Sequence, residues 1–294
     1  MDVAIVEVRN DAGLRAWLGV RNQLERDDPW TLEQLVARRS AEPQRSEFVA
    51  FAEHEAVGVA SVGPKGSPDD LAYGYVGVLS DREPARIRTV LYETVRQAAR
   101  RSGRSRLELW ASDNDLSAVA FLEARGFIEV MREAGLALEL SPALRLPPPR
   151  PPQGVALEPV VVSDAYGDGA YAVAARTWRD IPGETGISTK QAWLHINVAH
   201  APEGALVALH RGLVVGFAGL HTLAAPGLYE HGLLAVLPQY RRQGIANALK
   251  LAQIRWAQES GGRRLVTWNA ETNDAVRGLN LALGYQPLPT TIAF

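Results

Sequence analysis

An internal repeat constrains the fold of this chain more than any other feature of its sequence. Short segments of the first half recur in the second half at one spacing: Phe48-Val49-Ala50 with Leu206-Val207-Ala208, Gly58 with Gly216, Trp110 with Trp268, and Gly126 with Gly284. The differences 206−48, 216−58, 268−110 and 284−126 all equal 158. Because chance similarities would not keep one register over most of a chain, we expect two copies of a single fold.

The length agrees with two copies, since 294 residues suit two domains of ordinary size. The clearest break is the segment 141–154, SPALRLPPPRPPQG. Proline fixes φ and lacks an amide donor, so such a run is typical of a semi-rigid spacer. We therefore expect one domain over residues 1–140, a proline-rich linker over 141–154, and a second domain over 155–294.

Composition excludes several classes of function. The chain has no cysteine and a formal net charge of -2, which removes thiol nucleophiles, disulfides and any broad electrostatic attraction to nucleic acid. Its 6 histidines are scattered without the spacing of a zinc site, so we expect no metal. No apolar run is long enough to span a membrane, and the acidic N-terminus does not resemble a signal peptide. We expect a cytoplasmic enzyme, monomeric or homodimeric.

The second half shows the element order most clearly. Hydrophobic periodicity and turn residues predict helices at Ser188–His200, Ile245–Ser260 and Asp274–Leu283, and strands at Ala205–Leu209, Val214–Leu220, Tyr229–Val236 and Leu265–Trp268. Ser188 is a suitable N-cap after the turn at Pro182-Gly183. A strand meander followed by strand, helix, strand and helix indicates an α/β (α+β) fold with a mixed sheet.

The most specific segment is the loop between a predicted strand and helix, Arg241-Arg242-Gln243-Gly244-Ile245-Ala246. A first helical turn has amides without intrahelical acceptors and carries the positive end of the helix dipole. Gly244 and Ala246 leave space for an anion, and the two arginines add positive charge. The loop therefore predicts a phosphate site. A plain helix start with solvated arginines is the alternative.

Two motifs resemble the GNAT acyltransferase superfamily. Arg241-x-x-Gly244-x-Ala246, after Val236-Leu237-Pro238, resembles its acetyl-CoA pyrophosphate loop, and Asn273–Tyr285 resembles its second conserved helix. The resemblance implies two tandem GNAT-like domains, each a mixed, splayed β-sheet flanked by helices, with acetyl-CoA as co-substrate. It also implies that the cofactor is contacted by Leu234, Ala235, Val236, Arg241, Arg242, Gln243, Gly244, Ile245, Ala246, Asn247, Asn273 and Asn280. Asn273 is equally suited to capping the helix that follows it.

Acyl transfer to an amine calls for a general base, and Glu230 is the first candidate. Period-2 alternation predicts Glu230, Gly232, Leu234 and Val236 on one face of their strand. A glutamate at a solvated strand edge is the alternative, and the other candidate bases are Glu271 and His231. Many family members carry a tyrosine as general acid where this chain has Asn280. Tyr285 matches a position that is usually a core aromatic.

The first copy has lost the phosphate loop. The 158-residue spacing pairs Gly244 with Arg86, Ala246 with Arg88, Arg241 with Glu83, Arg242 with Pro84, Glu230 with Ala72, and Asn273 with Asp115. Acids, a proline and a bulky arginine thus occupy Asp81–Arg86, where amides and small residues are needed. We expect a degenerate first domain that helps to form the acceptor pocket.

Together these features predict an acetyl-CoA-dependent N-acetyltransferase acting on a primary amine of a small molecule or peptide. A non-catalytic acyl-CoA-binding protein that kept the fold is the first alternative. A mycothiol-synthase-like enzyme is the second, although Leu279-Asn280 departs from the motif expected there.

Overall fold

The structure is a computed structural model that describes residues 2–27, 29–65, 70–79, 84–181, 187, 189–199 and 201–294. In chain order the strands are β1 (Val3–Glu7), β2 (Ser46–Ala52), β3 (Glu55–Pro64), β4 (Leu71–Val78), β5 (Arg106–Ser112), β6 (Met131–Glu139), β7 (Val155–Pro159), β8 (Leu206–His210), β9 (Leu213–Thr222), β10 (Leu228–Val236), β11 (Arg264–Ala270), β12 (Gln286–Pro287) and β13 (Thr291–Ala293). The α-helices are α1 (Asp11–Leu24), α2 (Leu32–Ala41), α3 (Pro84–Arg101), α4 (Leu116–Glu123), α5 (Asp164–Thr177), α6 (Lys190–Asn197), α7 (Ile245–Glu259) and α8 (Asp274–Ala282).

The chain folds into two compact units whose limits differ from the two sequence halves. Unit 1 contains Met1–Glu133 and Pro289–Phe294, and unit 2 contains Ala134–Leu288. The C-terminal strand β13 therefore belongs to unit 1, where it pairs antiparallel with β5. The proline-rich segment 141–154 lies inside unit 2, where Leu144 and Leu146 pack against a buried apolar cluster.

Unit 1 is a mixed sheet with helices on both faces. Its strand order is β1-β2-β3-β4-β5-β13, followed by the first residues of β6. The β4–β5 pair is parallel, while the other ladders are antiparallel. Alternation along β2 separates two apolar clusters: Phe48 and Ala50 pack with α3 and α4, whereas Val49 packs with α1 and α2.

Unit 2 repeats this arrangement. Its order is β7-β8-β9-β10-β11 and then the remainder of β6, which also pairs with β12. The β10–β11 pair is parallel, as β4–β5 is in unit 1. Val207 and Phe217 pack with α5 and α6 on one face, and Leu206 packs with α7 on the other. Both repeats thus carry the α/β mixed sheet flanked by helices that the sequence predicts.

The element predictions for the second half are confirmed to within a few residues. The β8–β9 hairpin turns at Arg211 and Gly212, whose φ angles of 53° and 78° lie in the left-handed region that such two-residue turns require. Helix α6 begins at Lys190. The predicted turn at Pro182-Gly183 and the predicted limits Ser188 and His200 lie outside the described residues.

Candidate active site

The predicted phosphate loop is an open turn followed by a helix. Strand β10 ends at Val236, a short 3₁₀ turn covers Pro238–Tyr240, and α7 begins at Ile245. Gly244 precedes the helix with φ 88°, and a Cβ placed there would meet nothing within 4 Å. The left-handed backbone explains the glycine, because other L-residues are strained there. The open space leaves the first-turn amides of α7 accessible to an anion.

The arginines of this loop have different roles. The Arg241 Nε donates to the Val236 carbonyl at 2.9 Å, and its guanidinium pairs with the Asp180 carboxylate at 2.5 Å. Arg241 therefore braces the loop against the strand end, and Asp180 neutralises part of its charge. Arg242 has a left-handed φ of 61° and an exposed side chain. The Gln243 side chain donates to the Gln239 carbonyl at 3.2 Å, while Asn247 is exposed.

The sheet of unit 2 opens beside this loop. The parallel ladder between β10 and β11 covers Leu228, Tyr229 and Glu230. Further along β10, Leu234, Ala235 and Val236 continue to pair with β9 on the other side. The two parallel strands therefore diverge after Glu230, and we call this point of divergence the fork. The slot between the separated strands leads from the phosphate loop to the fork. This slot is the splayed geometry expected from the family resemblance.

A β-bulge corrects two sequence predictions. His231 pairs with Leu220 and Leu234 with Ala218, so three steps along β10 match two along β9. The extra residue breaks the alternation that would have placed Glu230, Gly232, Leu234 and Val236 on one face. It also shifts the alignment of β10 with β4 of unit 1 by one residue. Glu230 pairs with Val266 in unit 2, and Tyr73 pairs with Glu108, the counterpart of Val266, in unit 1. The counterpart of Glu230 is thus Tyr73 and not Ala72.

The two candidate carboxylates lie apart. Glu230 is half-buried at the last pair of the β10–β11 ladder, opposite Val266. Glu271 is exposed in the turn after β11, five residues beyond Val266, which corresponds to about 16 Å of strand. Asn273 caps α8, accepting a hydrogen bond from the Val276 amide at 3.4 Å, so its capping role is confirmed.

A buried polar cluster lies on the α7 face of β10, and sequence reasoning missed most of it. His231 Nδ1 is 2.9 Å from the Gln253 side-chain oxygen, and its Nε2 is 2.5 Å from the Tyr285 hydroxyl. The Gln253 amide nitrogen donates to three backbone carbonyls, those of Gly204, Ala218 and Gly219. The Gln253 oxygen must therefore accept from His231 Nδ1, and the Tyr285 hydroxyl donates to Nε2.

Burial controls the ionisation of this cluster. It lowers the pKa of His231 well below its usual value, with the nearby charge of Lys250 as the next contribution. It raises the pKa of the Tyr285 phenol. Both side chains are consequently neutral at pH 7. Burial also lowers the pKa of Lys250 from 10.5 to about 7.

Asn280 belongs to the same region. Its side chain is fully buried at 0% exposure, and within the part of the chain that the structure describes neither of its polar atoms has a hydrogen-bond partner. The repeat is the signal that could have revealed the cluster, because Lys250, Gln253, Asn280 and Tyr285 align with Tyr92, Val95, Leu122 and Phe127. At the first three of these four positions, unit 2 has a polar, non-aromatic side chain where unit 1 has an apolar or aromatic one.

Unit 1 fills the corresponding places with its own side chains. Helix α3 begins at Pro84, whereas the spacing would place the counterpart of Ile245 at Ile87. Pro84, Ala85 and Arg86 are helical where unit 2 forms its open turn; Asp81, Arg82 and Glu83 lie outside the described residues. Arg88 is buried and pairs with Asp115 at 2.7 Å. The cavity beside Arg88 measures about 10 Å³, enough for roughly one water.

Two further features can be stated for the described residues. They contain no group of three or more acidic or histidine side chains placed to hold a metal ion. None of their helices combines the length and apolar character needed to cross a bilayer.

The fold has close counterparts among solved structures. A tandem GNAT protein from the clavulanic acid biosynthesis pathway superposes with a TM-score of 0.77 at 19% identity, covering 99% of this chain and 97% of that one. A GCN5-related N-acetyltransferase from Sphaerobacter thermophilus gives 0.74 at 17% identity, covering 98% and 94%. A fungal β-N-acetylglucosaminidase with a GCN5-related glucosamine N-acetyltransferase region gives 0.71 at 14%, covering 100% of this chain and 38% of that one. At these identities the likeness concerns the fold alone.

The sequence itself matches a family profile. No curated protein matches the chain in sequence. The profile of the acetyltransferase (GNAT) family matches residues 13–127 and again residues 170–285, one match for each copy of the repeat. These two segments cover most of the chain. The protein is therefore a tandem member of the GNAT acetyltransferase family.

Proposed function

We propose that unit 2 transfers an acetyl group from acetyl-CoA to a primary amine of a small molecule or peptide, and that unit 1 binds no acetyl-CoA. The observation that carries the proposal is the left-handed turn at Gly244 before α7, which unit 1 replaces with an additional helical turn from Pro84. The open turn offers backbone amides without intrahelical hydrogen-bond acceptors, and Gly244 has no side chain that would block a phosphate from approaching them.

The residues of unit 2 fit a coenzyme with a pyrophosphate and an extended amide-containing arm. The first-turn amides of Ile245, Ala246 and Asn247 can donate to pyrophosphate oxygens, and the exposed Arg242 adds charge near them. The edge of β10 at Leu234–Val236, which has left the β11 ladder, offers backbone groups to the amides of the arm. Acetyl-CoA bound in this way supplies an activated acetyl thioester at the fork.

Glu230 is the proposed general base. It lies at the fork, on the face of β10 opposite His231, because neighbouring strand residues alternate before the bulge. His231 contacts α7 through Gln253, so Glu230 faces the side that carries α5 and α6. An acceptor amine, with a pKa near 10.4, can lose its proton to this carboxylate directly or through one water. We therefore place the acceptor on the α5–α6 side.

A non-catalytic acyl-CoA-binding protein is the second candidate. Asn280 favours it, because a carboxamide cannot protonate a leaving thiolate as the tyrosine of many family members can. Measuring CoA release from acetyl-CoA with a panel of small amines and peptides separates the two candidates. Acceptor-dependent release supports the transferase. Saturable acetyl-CoA binding without release on any amine would support the binding protein.

A further inference from the structure

Lys250 is a buried charged group on α7 of unit 2. Its side chain is 1% exposed, and its Nζ has no hydrogen-bond partner among the described residues. The centroid of the Tyr285 ring is 5.4 Å from Nζ. A buried ammonium without a carboxylate partner is costly, because desolvation is not offset by an ion pair.

The fold itself does not require this lysine. Unit 1 builds the equivalent packing from Tyr92 on α3, which makes edge contacts with Phe121 and Phe127 at ring-centroid distances of 5.7 and 6.1 Å. Lys250 takes the place of Tyr92, and Asn280 takes the place of the buried Leu122. Unit 2 therefore carries an unpaired amine and an unpaired carboxamide where the same architecture is stable with apolar side chains.

These groups lie at the apex of the fork. Glu230 is the last residue of the β10–β11 ladder, and the next residue, His231, directs its ring towards α7. Lys250 on α7 contributes to the electrostatic environment of His231 and faces the same Tyr285 ring. Lys250 therefore lies on the α7 side of β10, near the end of the β10–β11 ladder, with Glu230 on the opposite side of the strand.

We propose that Lys250 is the general acid of unit 2 and protonates the thiolate that leaves from the acetyl donor. This inference rests on the proposed acetyl transfer. The acceptor amine, whose ammonium proton has already passed through Glu230 to solvent, forms a bond from nitrogen to the acetyl carbon and loses a second proton to Glu230. The carbon–sulfur bond breaks, sulfur retains the electron pair, and it takes a proton from the Lys250 ammonium. Solvent returns that proton to Lys250 and removes the one on Glu230 after the products leave.

The acidity of the group suits this step. Burial lowers the pKa of Lys250 to about 7, below the value of about 8.5 typical of a thiol, so the transfer runs downhill. Titratable groups facing it are His231 from β10 and Tyr285 after α8, both neutral at pH 7, with His221 of β9 close to His231. Gln253, which is bonded to His231, and the buried Asn280 carry no charge.

The test compares Lys250→Met with Arg255→Met in the full chain. Arg255 is an exposed cation on the same helix, paired with Glu259, and serves as the matched control. K250M is expected to bind acetyl-CoA within about threefold of wild type in calorimetry while kcat falls roughly 10²-fold or more. Wild-type kcat at saturating acceptor is expected to decline as pH rises through about 7. That decline is absent in K250M and retained in R255M.

A second measurement, the pH dependence of the unfolding equilibrium, does not depend on catalytic activity. The unfolded chain holds the Lys250 proton between pH of about 7 and 10.5, where the folded chain has released it. The unfolding equilibrium constant of wild type therefore falls with rising pH across this window, by up to tenfold per unit from this group. K250M lacks that contribution.

The outcomes separate the two proposals. A wild-type chain that neither binds acetyl-CoA nor releases CoA overturns the proposed function, and with it this one. A wild-type chain that turns over, together with a K250M variant of unchanged kcat and pH profile, overturns only the role of Lys250. Should K250M not fold, a wild-type kcat that does not decline between pH 6 and 9 overturns that role by itself.

Discussion

In unit 1 the guanidinium of Arg88 lies 2.7 Å from the carboxylate of Asp115, where unit 2 has Ala246 and Asn273. Ser117 accepts a second hydrogen bond from Arg88 at 2.6 Å. The ion pair links the start of α3 to the start of α4 and occupies the place that the open turn and the capping asparagine define in unit 2. In unit 1, therefore, packed side chains fill the region that corresponds to the proposed cofactor slot of unit 2.

We expect Asp115→Ala to destabilise unit 1 by roughly 2–4 kcal/mol. The change leaves Arg88, 4% exposed, without its carboxylate, and the partial exposure of Asp115 keeps the cost below that of a fully buried pair. Glu129→Gln is the control, because its pair with Arg132 is exposed and worth less than about 1 kcal/mol. Denaturant unfolding measures both. Equal effects of the two changes would show that the Arg88 pair is not structural.

Two glycine substitutions in unit 2 test the left-handed turn that precedes α7. Gly244→Ala places a side chain at φ 88° and is expected to cost about 1–2 kcal/mol. Gly278→Ala, inside α8 with nothing within 4 Å of the added carbon, is expected to stabilise the protein by up to about 1 kcal/mol. Thermal unfolding compares the two. A neutral or stabilising Gly244→Ala would mean that the left-handed turn is absent in solution.

Glu230→Gln is expected to lower kcat by about 10²–10⁴-fold while acetyl-CoA affinity stays near that of wild type. The reason is that the carboxylate lies at the fork and away from the phosphate loop. Steady-state kinetics and calorimetry provide the two measurements. If instead Glu271→Gln abolishes turnover and Glu230→Gln does not, the base has been assigned to the wrong carboxylate.

Truncation distinguishes the structural units from the sequence halves. A fragment 153–294 lacks the part of β6 that belongs to unit 2, including the buried Leu136 and Leu138. We expect it to unfold without cooperativity, whereas a fragment 134–288 keeps every strand of unit 2 and unfolds cooperatively. Circular dichroism against temperature is the measurement. A cooperative 153–294 fragment would show that β6 is dispensable.

Much of the fold follows from the sequence because it depends on local signals. Hydrophobic periodicity and glycines locate the β8–β9 hairpin, α7 and α8 to within a few residues. The placement of β13 in unit 1 does not follow, because Ile292 pairs with Ala111, a partner remote in sequence. Strand pairing of that kind depends on tertiary contacts that no local pattern encodes.

Part of the candidate site is also local. The sequence predicts the strand, the turn at Gly244 and the helix that follows, and the structure has all three. The bulge after His231 has no strong sequence signal and changes the register of Glu230 by one residue. The sequence does not single out Lys250, because a lysine on a helix is usually solvated, whereas this one is 1% exposed. Comparing the two copies position by position is the means by which sequence alone could identify it.

Calorimetric titration of the full chain with acetyl-CoA tests the single cofactor site proposed for unit 2. We expect one site per chain in wild type, an unchanged site in Gly278→Ala, and no measurable binding in Gly244→Glu, whose carboxylate would lie beside the pyrophosphate. Circular dichroism of Gly244→Glu checks that the variant is folded. Two equivalent sites per chain, or wild-type affinity in folded Gly244→Glu, would contradict the proposed single site at the turn before α7.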